Sequence, residues 1–253
     1  MKLTFLGTAG LVPPGMGLKV TGIRGMNSML IDNDYLLEVG DGALRNIIAH
    51  GVDLKVVKRV LVSHLHSDHF IGIVHVLHNM VAVHNRTDPL EIIGPRGIAN
   101  ATRGLMDLCG LHTAADDEKR GYELIFKELS ETDHFDDIQT SRGEHPVETH
   151  AYRIRRNNRT LFYNGESLFT DEVLNLAHGA DLLVSTVSVP RTHSYHISPE
   201  ALGKAATKAG VKRVATVHWP PDFEGKHDEF RGLIAKHFGG EIIIPDDFTT
   251  IEV

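Results

Sequence analysis

His64-Leu65-His66-Ser67-Asp68-His69 sets three imidazoles and one carboxylate within six residues, directly after the apolar run Val60-Leu61-Val62. An ordinary core has no use for so many titratable groups at one strand end, whereas a bound divalent metal takes N and O ligands of this kind. Strand ends are also where sites form in α/β folds. Side chains alternate along extended chain, so His64 and His66 project to the same side and can share one ion. Asp68 and His69 follow where the chain turns and can reach a second. Two ions call for further ligands, and the natural suppliers lie beside later apolar runs: His145 ahead of 149–154, Glu166 behind 160–164 and His218 behind 211–217.

These residues need a scaffold of strands and helices. Strands are predicted over 3–6, 28–32, 35–39, 58–62, 90–93, 122–129, 149–154, 160–164, 181–185, 211–217 and, last, 241–244. Asn33-Asp34 reads as a hairpin turn, and Arg155-Arg156-Asn157-Asn158 as a basic turn. Helices are predicted over 43–50, stopped by Gly51, and over 70–83, 98–108, 171–178, 198–209 and 228–238. Ser198 caps the fifth of these, with Glu200 in its first turn. His75 and His78, on the body of the second, are expected in the core or behind the ligands. Residues 11–25, rich in Gly and Pro, read as a loop overhanging the site, and 113–120 as a solvated loop. Strands and helices alternate in two similar halves, which predicts one domain over 1–253 with helices packed outside the sheets.

Composition narrows the function. The chain has 253 residues and a formal charge of −7, which argues against a general nucleic-acid-binding surface. The single cysteine, Cys109, excludes an internal disulfide and is expected to be a small buried hydrophobe in a reducing compartment. The first residues lack the apolar stretch of a signal peptide and no run has the length of a membrane span, so a cytoplasmic protein without membrane contact is expected.

Taken together, these motifs resemble the metallo-β-lactamase fold superfamily, within it the branch of tRNase Z and related phosphodiesterases. Phe5-Leu6-Gly7-Thr8 is similar to that branch's opening strand and turn, and Leu36-Leu37-Glu38-Val39-Gly40-Asp41-Gly42 to its first acidic motif. His64 to His69 is its signature. His145-Pro146-Val147, the stretch Phe162-Tyr163-Asn164-Gly165-Glu166-Ser167, and the late histidines His196 and His218, 218 − 196 = 22 residues apart, resemble its remaining motifs.

The resemblance implies an α+β fold, a four-layer αβ/βα sandwich of two mixed β-sheets flanked by helices. It implies a dinuclear centre in which one ion takes His64, His66 and His145, the other takes Asp68, His69 and His218, and Glu166 bridges them. Zinc is favoured, with manganese or iron as alternatives. A metal-activated hydroxide would be the nucleophile, Asp68 would orient or deprotonate it, and His196 would serve the leaving group. The iron-using flavoprotein branch has Glu where this chain has His66, which argues against electron transfer.

Departures from the branch shape the substrate reading. Glu166 and Glu38 stand where the family has Asp, and Leu183-Val184-Ser185-Thr186-Val187 lacks the family's His-Glu pair. Long-armed tRNase Z enzymes insert a clamping arm between the positions of His145 and Glu166, here separated by 166 − 145 = 21 residues. The expected substrate is therefore a small or nucleotide-like phosphodiester, with tRNA a minority reading. The alternatives are a ribonuclease Z-like endoribonuclease, hydrolysis of a lactone, thioester or sulfate ester with Arg191 and His193 near the substrate, and a non-catalytic metal-binding member of the fold. Trp219 is expected at the site's rim or in the core. Related folds often dimerise, so a homodimer is compatible with the resemblance.

Overall fold

Apolar runs in this chain become strands buried on both faces. In the computed structural model, which describes residues 1–10, 24–83, 86–111, 120–188, 195–220 and 225–253, they assemble into two sheets. The first contains β1 (Lys2–Gly7), β2 (Ser28–Ile31), β3 (Tyr35–Val39), β4 (Arg59–Leu61), β5 (Leu90–Gly94), β6 (Leu124–Glu128) and β14 (Thr250–Glu252). The second contains β7 (Thr132–Phe135), β8 (Ile138–Gly143), β9 (Thr149–Arg156), β10 (Arg159–Tyr163), β11 (Leu182–Thr186), β12 (Arg213–Val217) and β13 (Glu241–Ile243). Their orders are β14-β1-β2-β3-β4-β5-β6 and β13-β12-β11-β10-β9-β8-β7. Both sheets are mixed: β3 to β6 run parallel, as do β10 to β13, and antiparallel pairs complete each sheet.

Alternation along the strands assigns each side chain to one of three cores. Leu37 and Leu61 face inward onto Leu161, Tyr163 and Val184 of the opposite sheet. Their neighbours Leu36 and Val60 point outward onto α1 (Ala43–Ala49), α3 (Ile73–Ala82) and α4 (Ile98–Leu108). Phe162, Leu183 and Val214 likewise pack on α5 (Asp171–Ala177), α6 (Pro199–Lys208) and α7 (His227–Ala235). Helix, sheet, sheet, helix is thus the layer order, as the resemblance implies. The helix starts follow local chemistry: Thr170 accepts from the Val173 N–H, and Ser198 from the Ala201 N–H ahead of Pro199 at the first turn.

Several expectations need correction. The helix predicted over 70–83 begins at Ile73 as α3 and follows a separate short helix, α2 (Ser67–Phe70), because the Gly72 N–H donates to the Val39 carbonyl at 2.9 Å, where a β-carbon on Gly72 would sit 2.2 Å from the Gly40 carbonyl oxygen. His75 and His78 are exposed on α3 rather than in the core or behind the ligands. Cys109 is exposed at the end of α4 instead of buried. Strands β7 and β8 have too few apolar residues to show periodicity, and their pairing across the Asp136-Asp137 turn makes them strands. The chain does not finish its sheets at 241–244: β14 returns to pair with β1, Leu3 opposite Ile251. Residues 11–23 of the expected overhanging loop, 113–119, Arg191 and His193 lie outside the described residues. Among those described, no helix is long and apolar enough to cross a membrane.

Gly40 gives a direct test of how the first sheet grips α2. A β-carbon there would lie 2.1 Å from the Asp68 carbonyl oxygen. Gly40→Ala is expected to destabilise the chain by about 2 to 3 kcal/mol in urea unfolding, and an unchanged midpoint would contradict this packing.

Candidate metal centre

All the chemistry-bearing residues gather at one shared edge of the two sheets. The chain leaves β4 in extended form through His64 and His66 and then enters α2, which carries Asp68 and His69. His145 precedes β9, Glu166 follows β10, and His218 follows β12. The second sheet's parallel strands end at this edge, and antiparallel β9 starts there, which explains why residues so distant in sequence meet.

They meet as two groups. His64, His66, His145 and Glu166 offer ligand atoms within 4.8 Å of one another, and so do Asp68, His69 and His218. Glu166 lies between the groups: Oε2 is 3.4 Å from His64 Nε2 and 3.3 Å from His69 Nε2, and Oε1 is 3.4 Å from His218 Nε2. Asp68 Oδ2 is 2.9 Å from His218 Nε2 and 3.6 Å from His69 Nε2. His196 joins from the start of α6, its Nδ1 3.2 Å from Glu166 Oε1. Each expected ligand, together with His196, is therefore in one cluster. Trp219 is not at a rim: it is buried against Phe230 and His227.

Backbone strain marks the same place. Glu38, Glu166 and His218 have φ of 62°, 60° and 68°, a left-handed conformation that costs a non-glycine residue about 1 to 3 kcal/mol. Tight packing enforces it. At Gly165, itself at φ 62°, a β-carbon would lie 2.2 Å from the His150 carbonyl oxygen, so the turn presenting Glu166 is pressed against β9.

Glu38 is a site residue that the sequence reading treats only as a motif position. It is fully buried, accepts from the Ser63 N–H at 3.1 and 3.3 Å, and faces His69 Nδ1 at 3.6 Å. The available signal was a charge inside an otherwise apolar strand, Tyr35 to Val39, since an unpaired buried carboxylate is costly. Ser63 and Ser188 are also in place, their hydroxyls 2.9 Å from His64 Nδ1 and 2.7 Å from His218 Nδ1. A serine carries no comparable sequence signal.

Electrostatically the cluster is divided. Burial, reinforced by neighbouring His69, holds His64 down at about 4, and burial with His64 beside it holds His145 at about 4. Burial alone would raise Glu166, but His218, His196, His64 and His69 together hold it well below the usual carboxylate range. Burial opposes charge on His69, and Glu166 and Glu38 outweigh it, raising His69 well above an ordinary histidine.

The residues present fit divalent cations. His64 Nε2, both ring nitrogens of His69, His145 Nδ1, His196 Nδ1 and Glu166 Oε1 are buried without a hydrogen-bond partner among the described residues. Buried polar atoms are rarely left so, and three of them that face one another between the two groups, His64 Nε2, His69 Nε2 and Glu166 Oε1, are explained together by cations that the histidine and carboxylate donors can hold.

Two facing mixed sheets flanked by helices, with this cluster at their common edge, define a metallo-β-lactamase-fold hydrolase. The model of the beta-lactamase superfamily domain matches residues 42–219, and the chain belongs to that family. It is 28% identical to ribonuclease Z of Mycobacterium bovis over 100% of this chain and 98% of that protein. Among solved structures it is similar to the metallo-beta-lactamase fold protein YhfI from Bacillus subtilis, with a TM-score of 0.77 and 21% identity over 100% of this chain and 99% of the other. The short form of human tRNase Z also gives a TM-score of 0.77, with 19% identity over 100% and 99% of the two chains.

The depressed histidines predict a pH dependence of the metal-free protein. His64 and His145 ionise near 4 when folded and near 6.5 when unfolded, so between these values the unfolded chain binds more protons. Their stabilising contribution is complete above about pH 6.5 and is lost as pH falls towards 4. His69, raised when folded, opposes this slope only towards the top of the window, where its unfolded form loses the proton that the folded form keeps. The thermal midpoint is expected to drop across the window, and less steeply in His145→Asn; equal slopes in the two proteins would contradict the assignment.

Proposed function

We propose that this chain is a metal-dependent phosphodiester hydrolase acting on an RNA-type phosphodiester. The observation that carries the reading is the convergence of His64, His66, His145 and Glu166 with Asp68, His69 and His218 around unpartnered buried ligand atoms. In this reading His64, His66 and His145 would hold one ion and Asp68, His69 and His218 a second, with Glu166 placed to serve both. The donor set favours zinc, with manganese or iron as alternatives. Such ions, when bound, supply a nucleophile at neutral pH and stabilise charge building on a phosphoryl oxygen.

The chain's own groups supply positioning and proton transfer. Asp68, almost fully buried and turned toward His218, is the acceptor that orients the attacking water. His196 is the proton donor to the leaving oxygen. Its Nδ1 lies 3.2 Å from Glu166 Oε1, which leaves Nε2 for the leaving group. The longer side chain of Glu166, where the family has Asp, faces His64 and His69 with one oxygen and His218 and His196 with the other. Exposed Tyr195 and Val147 lie beside His196 and His145, a setting suited to a nucleobase.

The relative named ribonuclease Z supports RNA as the substrate class. It does not fit the expectation, drawn from the acidic balance and the missing arm, that tRNA is a minority reading. A small nucleotide-like diester is the second reading. It is favoured by the interval between His145 and Glu166, which β9, β10 and their turn occupy without an inserted arm.

Protein loaded with zinc or manganese is expected to cleave bis(p-nitrophenyl) phosphate. His196→Gln is expected to lower kcat about 100-fold or more with metal content unchanged, and His66→Ala to abolish turnover; equal rates in native and His66→Ala protein would rule hydrolysis out. Competition between a 3′-extended RNA and a dinucleotide diester separates the two substrate readings. Preference for the RNA supports the first, and preference for the dinucleotide the second.

A further inference from the structure

We propose that Ser63 and Ser188 are paired positioning residues, one for each half of the metal centre, whose hydroxyls hold His64 and His218 correctly aimed with or without an ion. The proposal rests on the metal-centre reading above and not on the substrate.

The two serines occupy equivalent places. Ser63 lies two residues past the end of the first sheet's β4, and Ser188 two residues past the end of the second sheet's β11. Both are buried, and each hydroxyl meets the Nδ1 of one histidine, at 2.9 Å for His64 and 2.7 Å for His218. Both rings therefore turn Nε2 toward Glu166. Packing blocks other orientations. A β-carbon at Gly10 would lie 2.2 Å from the His218 ring, and one at Gly165 would lie 2.8 Å from Ser63 Cβ.

The hydroxyl matters because a neutral imidazole carries one N–H and one lone pair, and the two exchange places between tautomers. With no cation, His218 Nε2 lies 2.9 Å from Asp68 Oδ2. The proton then belongs on Nε2, and Nδ1 accepts from Ser188. A cation at Nε2 needs that lone pair, so the proton moves to Nδ1 and the Ser188 oxygen becomes the acceptor. A hydroxyl serves in both states, whereas an ionised carboxylate only accepts. His69 shows the contrast, because its Nδ1 lies 3.6 Å from the carboxylate of Glu38 without a hydrogen bond. His145 Nδ1 likewise has no hydrogen-bond partner among the described residues. Each serine is thus the hydrogen-bonded partner of one ring in its own group.

Zinc affinity measured by competition with a chromophoric chelator tests this without reference to catalysis. Loss of such an outer partner typically weakens metal binding about 10- to 100-fold. Ser63→Ala and Ser188→Ala are each expected to weaken one of two zinc ions by such a factor, while Ser188→Thr, which keeps the hydroxyl, retains native affinity. Native affinity in both alanine variants would overturn the proposal. So would equal weakening of both ions in each variant, or a native protein that binds no zinc. Nitrogen-15 shifts of the native rings give an independent reading should an alanine variant not fold. His218 is expected to carry its proton on Nε2 without zinc and on Nδ1 with it, and an unchanged tautomer overturns the proposal. Because neither readout involves turnover, a failed phosphodiesterase assay leaves this result standing.

Discussion

A dense set of histidine and carboxylate groups, buried where two sheets meet, is the constraint on which the rest of the structure depends. Taken from water, such groups are costly unless each finds a partner. Here the partners are mostly one another: Glu166 faces four imidazoles, and Asp68 faces two. The balance is incomplete, since among the described residues six buried ring and carboxylate atoms have no hydrogen-bond partner. That deficit is the physical mark of a cation site. It also ties folding to function, because an ion that binds the folded chain stabilises it by mass action.

Holding this cluster requires a stiff frame. The inner core between the sheets, from Leu3 and Phe5 to Tyr163 and Val217, fixes the distance between their edges. Glycine contacts such as Gly40 on Asp68 and Gly165 on His150 fix the approach of individual loops. The left-handed backbone at Glu38, Glu166 and His218 persists because the surrounding packing leaves little alternative. Strain at those three positions is thus tied to the same two carboxylates and one histidine that the chemistry needs.

The cluster also accounts for a departure that looked damaging. Glu166, where the resemblance leads one to expect Asp, adds a methylene between the two groups, which in a rigid site would displace one partner. In this chain the added reach sets one oxygen toward His218 and His196 and the other toward His64 and His69. The missing His-Glu pair leaves His196 without its usual partner, and Glu166 is near enough to orient it.

Much of this was legible in the chain itself. The HxHxDH run marks a metal-binding strand end because clustered imidazoles have few other uses. Apolar runs such as Leu36-Leu37 and Leu182-Leu183-Val184 determine strands buried on both faces, since alternate side chains must each find a core. Short or polar strands were not legible: β7, β8 and β14 exist through their pairing partners, and three to six residues of mixed polarity carry no periodicity of their own. Nor could spacing show that Cys109, His75 and His78 face solvent, because the outward side of a helix is defined only once it has docked. Tertiary structure alone decided the supporting cast. Glu38 and the serines at 63 and 188 become part of the site because folding brings their oxygens to ring nitrogens, and a local sequence pattern records no such distance.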